Sequence, residues 1–104
     1  MPLRYGLIDE RLHIELWTSF ASQLRSYAAA HGLSSRHHAV VEVGSNEILL
    51  RVNTRWLRFT PSEMTEDNDR SQPFHINEDG TITIGPVTED MDFTAERLTR
   101  ELMQ

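Results

Sequence analysis

The chain has no cysteine, which excludes disulfides and thiolate metal sites and permits a reducing compartment. No apolar run exceeds a few residues, so the expectation is neither a signal peptide nor a membrane span. The five glycines form no phosphate-cradling or dinucleotide-binding motif, and no internal repeat or low-complexity tract is present. Positive charge is also scarce. Ten Lys and Arg stand against sixteen Asp and Glu, for a formal charge of −6. Such a molecule as a whole repels nucleic acid and anionic membrane, and any anionic partner must be met by a local basic patch. These absences lead to the expectation of a cytoplasmic protein.

What is there matches one folded unit. At 104 residues the chain is long enough for a single core and too short for two, so residues 1–104 are read as one compact domain. Hydrophobic residues at 38% and charged residues at 25% give the usual globular balance and exclude wholesale disorder.

From about residue 8 to 31, Leu12, Leu16, Phe20, Leu24 and Ala28 recur every four residues, with Glu15, Ser19, Ser22 and Ser26 opposite. This spacing predicts a long amphipathic helix, stopped by Gly32. The period then changes to two. Strands are expected at about 38–43, 47–52 and 55–60, with turns at Gly44-Ser45-Asn46 and Asn53-Thr54 and a stop at Pro61. The polar stretch 61–72, with Glu63, Glu66, Asp67 and Asp69, reads as a mobile acidic loop. Two further strands at about 73–77 and 81–85 flank the hairpin pair Asp79-Gly80. Gly85-Pro86 closes the sheet, and Thr88 opens a last helix at about 89–103 on the stripe Met91, Ala95, Leu98 and Leu102. The fold expected is α+β: an N-terminal helix, a five-stranded mainly antiparallel meander sheet and a C-terminal helix, with both helices on one face.

The stretch Glu47 to Thr60 carries the functional signal. Ile48, Leu50, Val52, Leu57 and Phe59 can share one face, which leaves Leu49, Arg51, Trp56 and Arg58 on the other. An outward tryptophan flanked by arginines marks a surface that meets something. Val40, Leu49, Arg51, Trp56 and Arg58 are therefore the candidate interaction residues, on a face shared with His38, Glu42, His75, Thr81 and Thr83. The bland account is that arginine stems and the indole merely shield the backbone. The functional account is an interface anchored by Trp and Arg, with another protein or a second copy of the chain as partner. An alternative is an anion or single-stranded nucleic-acid platform of Arg51, Arg55, Trp56 and Arg58, against which the acidic total argues.

Catalytic and cofactor chemistry finds no residues. Ser34 and Ser35 near His37 form no nucleophile elbow, and Asp67-Asn68-Asp69 lacks the glycine and terminal glutamate of a calcium loop. His31, His37 and His38 raise the question of a metal, but neighbouring residues entering a strand point to opposite faces. His13 lies in the apolar arc of the first helix; buried, it would have to stay neutral and find a partner. No enzyme activity, metal or cofactor is expected.

Overall fold

The computed structural model describes residues 2–33 and 38–104, with side chains described for 10–31 and 38–104. The chain is α+β, with an N-terminal helix, an antiparallel sheet and a C-terminal helix. The sheet has seven strands rather than five. Helix α1 spans Pro2–Leu33, followed by β1 (Ala39–Val43), β2 (Ile48–Val52), β3 (Arg55–Phe59), β4 (Glu63–Glu66), β5 (Ser71–Ile76), β6 (Thr81–Ile84) and β7 (Val87–Asp90). Helix α2 spans Met91–Leu102. Each strand pairs only with its neighbours in the chain, so the topology is an uninterrupted meander. Among the described residues, no helix is long and apolar enough to cross a membrane.

Both extra strands lie where the residue pattern predicts a loop or a helix entry. The segment expected to be a loop turns back at Pro61-Ser62, where the Thr60 and Glu63 main chains bond reciprocally, and runs beside β3 as β4. The strand EMTE hides one apolar side chain, Met64, too few for an alternation to be recognised. What remains of the acidic loop is a tight turn, with Asp69 at φ +68 and the Glu66 N–H donating to the Arg70 carbonyl. The second addition follows from Gly85 and Pro86. They reverse the chain rather than end the sheet, because Gly85 takes φ +58 and Ile84 pairs with Val87. Thr88 therefore caps nothing; its hydroxyl lies 2.8 Å from that of Thr83 across the β6–β7 ladder. Asp90 caps α2 instead, accepting the Asp92 N–H at 3.2 Å.

Strand β5 changes partners along its length. Ser71 to Pro73 pair with β4, and Phe74 to Ile76 pair with β6. The handover falls beside Pro73, where a missing ladder donor is tolerated. The next turn is held by Asp79, whose carboxylate accepts the Thr81 hydroxyl at 2.7 Å and the Thr81 N–H at 3.0 Å. These bonds favour the ionised form and draw its pKa below the ordinary aspartate range.

The core collects the even-numbered residues of β2 and of β4 to β6, and the odd-numbered residues of β3. Ile48, Leu50, Val52, Leu57, Phe59, Met64, Phe74, Ile76, Ile82 and Ile84 are all buried. Against them lie Trp17, Phe20, Ala21, Leu24 and Ala28 of α1 and Met91, Ala95, Leu98 and Leu102 of α2. The Phe20 ring packs edge-on to Phe59 at 5.1 Å and tilted to Phe74 at 5.7 Å, within the range where aromatic pairs attract. Two buried threonines on α2 lose no hydrogen bond, because Thr94 and Thr99 donate to the carbonyls one turn back, Asp90 and Ala95. Tyr27 joins the two helices by donating to Asp92 Oδ1 at 2.8 Å. That bond to an anion raises the phenol pKa above its usual value.

Helix α1 is longer than expected and continues through Gly32 to Leu33. Its 32 residues span about 48 Å, close to the 52 Å long axis of the molecule. Only the segment from Trp17 to Ala28 supplies buried residues among those described, while Glu10, Arg11, Ile14 and Glu15 stay exposed. The packing centre therefore sits in the second half of the helix. Replacing the fully buried Phe20 by alanine should cost about 3–5 kcal/mol of stability. The check is chemical denaturation, and a loss under about 1 kcal/mol would show that the three rings do not anchor the core.

Candidate functional site

Strand alternation places the five candidate residues. With Ile48, Leu50 and Val52 buried in β2, Leu49 and Arg51 take the opposite side, and Trp56 and Arg58 follow from Leu57 and Phe59 in β3. The register aligns them in two rows. In one, Val40, Arg51 and Trp56 are successive cross-strand partners; in the other, Glu42, Leu49, Arg58, Thr65 and Ser71 are. All five expected residues therefore share one patch. Arg51 and Arg58 are exposed, whereas Val40, Leu49 and Trp56 are half-buried among their neighbours.

The electrostatics of the patch are nearly balanced. Arg51 Nη2 lies 3.3 Å from Glu42 Oε1, an ion pair with both side chains about half exposed. At that exposure it is worth little stability. Arg58 has no ionic partner among the described residues. The Glu63 carboxylate accepts a hydrogen bond from the Thr65 hydroxyl on the same side of β4. Glu63 and Thr65 are not legible as patch residues in the sequence, because their polar stretch predicts a loop. Only the buried Met64 between them carries the signal.

Arg55 is not part of this patch. It shares the parity of Leu57, and its Nη1 donates to the Glu101 and Leu102 carbonyls at the end of α2, at 3.3 and 3.4 Å. The four residues of the alternative platform are thus divided between the two sides of the sheet, Arg55 on one and Arg51, Trp56 and Arg58 on the other. A guanidinium at a helix C-terminus meets the negative end of the dipole and its unpaired carbonyls.

The histidines are dispersed. His13 is partly exposed and stacks on Trp17 at a centroid distance of 5.8 Å. Trp17 itself is buried, and its indole N–H donates to the Gly44 carbonyl at 3.0 Å, tying α1 to the β1–β2 turn. His31 Nε2 approaches Glu96 Oε2 at 3.3 Å. It is shut off from water without an aligned hydrogen bond, so the approach is a close contact that becomes an ion pair only on protonation. His38 is exposed, and His37 lies outside the described residues, as do Ser34 and Ser35. Among the described residues, no three His, Asp or Glu side chains are grouped to hold a metal ion.

A second concave region lies between α2 and the sheet. It is a cleft of about 250 Å³ bordered by Arg55, Glu66, Arg97 and Glu101 over apolar residues that include Met64 and Leu98. No sequence motif announces it, since its charged residues come from β3, β4 and α2 and are read as surface residues one at a time.

The two tryptophans report on the two sides of the structure. At protein concentrations low enough to keep copies apart, Trp56→Phe should leave a blue-shifted emission from Trp17 that acrylamide quenches weakly, and Trp17→Phe should leave a more red-shifted and more readily quenched Trp56. Equal quenching of the two variants would contradict this placement. No protein-family model, no curated protein and no solved structure matches the chain.

Proposed function

We propose that the chain is a small non-catalytic protein-interaction domain that binds through the sheet face around Trp56, with a second copy of itself as the occupant. The reading includes both helices packing on the side bearing Leu57 and Phe59, which leaves the Trp56 side open. The contacts of Phe20 with Phe59 and of Arg55 with the end of α2 support that arrangement. The observation that carries the function is the composition of the open side. Val40 and Trp56 flank Arg51 in one row and Leu49 lies diagonal to both in the next, with Arg58, Glu42 and Glu63 around them. Aromatic and arginine side chains dominate binding energy where neighbours exclude water from them.

The balance of charge favours a copy of the chain over a polyanion. A two-fold axis brings one patch against itself, so a face carrying both signs can offer Arg58 a carboxylate from the partner. A phosphate backbone would meet Glu42 and Glu63 as well as the arginines, and Arg51 is already paired. With Arg55 on the other side of β3, the nucleic-acid alternative retains one arginine without an ionic partner among the described residues. A cytoplasmic setting is part of the same reading.

The test is the mass of the purified protein by light scattering. The wild type is expected at twice the chain mass, with Trp56→Ala and Arg58→Glu shifting it toward the monomer while circular dichroism stays unchanged. Wild-type protein that is monomeric at all accessible concentrations would refute self-association, and variants that retain the dimer mass would refute its placement on this face. A dimer lost only at high salt together with measurable binding to single-stranded DNA would favour the alternative.

A further inference from the structure

The ionic side chains around the cleft beneath α2 pair off with two exceptions. Arg97 donates to Glu89 Oε1 from Nε and Nη2, at 3.2 and 2.7 Å, and to Glu101 Oε1 from Nη1 at 3.2 Å. Among the described residues, Arg55 donates only to main-chain carbonyls of α2, and no carboxylate there compensates its charge. The Glu66 carboxylate makes no hydrogen bond or ion pair among the described residues. It is nevertheless partly withdrawn from solvent. A positive and a negative group therefore border one concavity, and neither is matched by a charge among the described residues.

The register fixes how they face each other. Glu66 is the cross-strand partner of Leu57, and Arg55 lies two residues before Leu57 on the same side. Arg55 and Glu66 are thus diagonal neighbours, with side chains starting roughly 7 Å apart. They do not close into an ion pair. Between and below them are Leu57, Met64 and Leu98, all buried. The volume of about 250 Å³ falls under the roughly 300–1,000 Å³ of pockets for drug-sized ligands, so the occupant must be small.

Adjacent opposite charges over an apolar floor match one class of small molecule. We propose that this cleft binds a free α-amino acid with a short branched aliphatic side chain. The carboxylate takes the guanidinium N–H groups of Arg55 that the helix carbonyls leave unused, and the ammonium takes Glu66. The aliphatic group lies against Met64 and Leu98. A monovalent anion would leave Glu66 facing like charge, and a simple amine would do the same to Arg55. The site is separate from the sheet face around Trp56 and does not depend on what that face binds.

Titration calorimetry of the full chain with L-leucine, isocaproate and isoamylamine tests this directly, since the two analogues keep the side chain and remove one charge each. Leucine should bind saturably, at least about tenfold more tightly than either analogue. Glu66→Gln should weaken leucine by a similar factor while leaving isocaproate no weaker, and circular dichroism should confirm the fold of the variant. Absence of leucine binding, equal affinity for the three compounds, or leucine binding undiminished in Glu66→Gln would each overturn the proposal. The analogue comparison uses unaltered protein, so it decides the matter even if a variant fails to fold.

Discussion

Side chains on a strand alternate between two sides, and this constraint governs both the core and the surface of the protein. Once Phe20 of α1 settles between Phe59 and Phe74, the parity of β3 and β5 is set. Leu57 must join Phe59 inside, and Trp56 and Arg58 must face away. The antiparallel register then extends the same division to β2 and β4. A slip of one residue would exchange the buried set for Leu49, Arg51, Trp56 and Arg58, burying two arginines without partners. The apolar face and the charged face therefore specify each other.

The same division gives Arg55 a role different from that of its neighbours. Three arginines within eight positions invite reading as one basic patch, yet odd and even positions in β3 lead to separate environments. Arg55 closes the C-terminal end of α2, Arg58 has no ionic partner among the described residues, and Arg51 leans on Glu42. Density of charge along a sequence thus says little about density on a surface until the period of the element is applied. The cleft under α2 arises the same way, from Arg55 and Glu66 on the inner side of adjacent strands.

Much of this was legible in the residues themselves. The apolar spacing of α1, the alternation of β1 to β3 and the stripe of α2 all exceed the length at which a period can be recognised, and each element forms where its pattern lies. The five residues of the sheet patch followed from parity alone and are found together. Strands β4 and β7 were not legible, because four residues with one or no buried apolar side chain carry no visible period. Both depend on partners. Polar strands such as EMTE and VTED are held by ladder bonds from β3, β5 and β6, which local sequence does not display. The cap of α2 was misplaced for a related reason, since Thr88 and Asp90 both suit the position and only the β7 pairing assigns it to Asp90.

Because the chain contains no cysteine, a single thiol can be placed at each position of β2 and β3 without a background, and its rate of reaction with a small alkylating reagent measures accessibility directly. The rates should alternate, fast for Leu49→Cys, Arg51→Cys and Arg58→Cys and strongly suppressed for Leu50→Cys, Leu57→Cys and Phe59→Cys, at protein concentrations low enough to keep copies apart. Rates without a two-residue period, or a period with Leu57→Cys fast and Trp56→Cys protected, would contradict the account at its foundation.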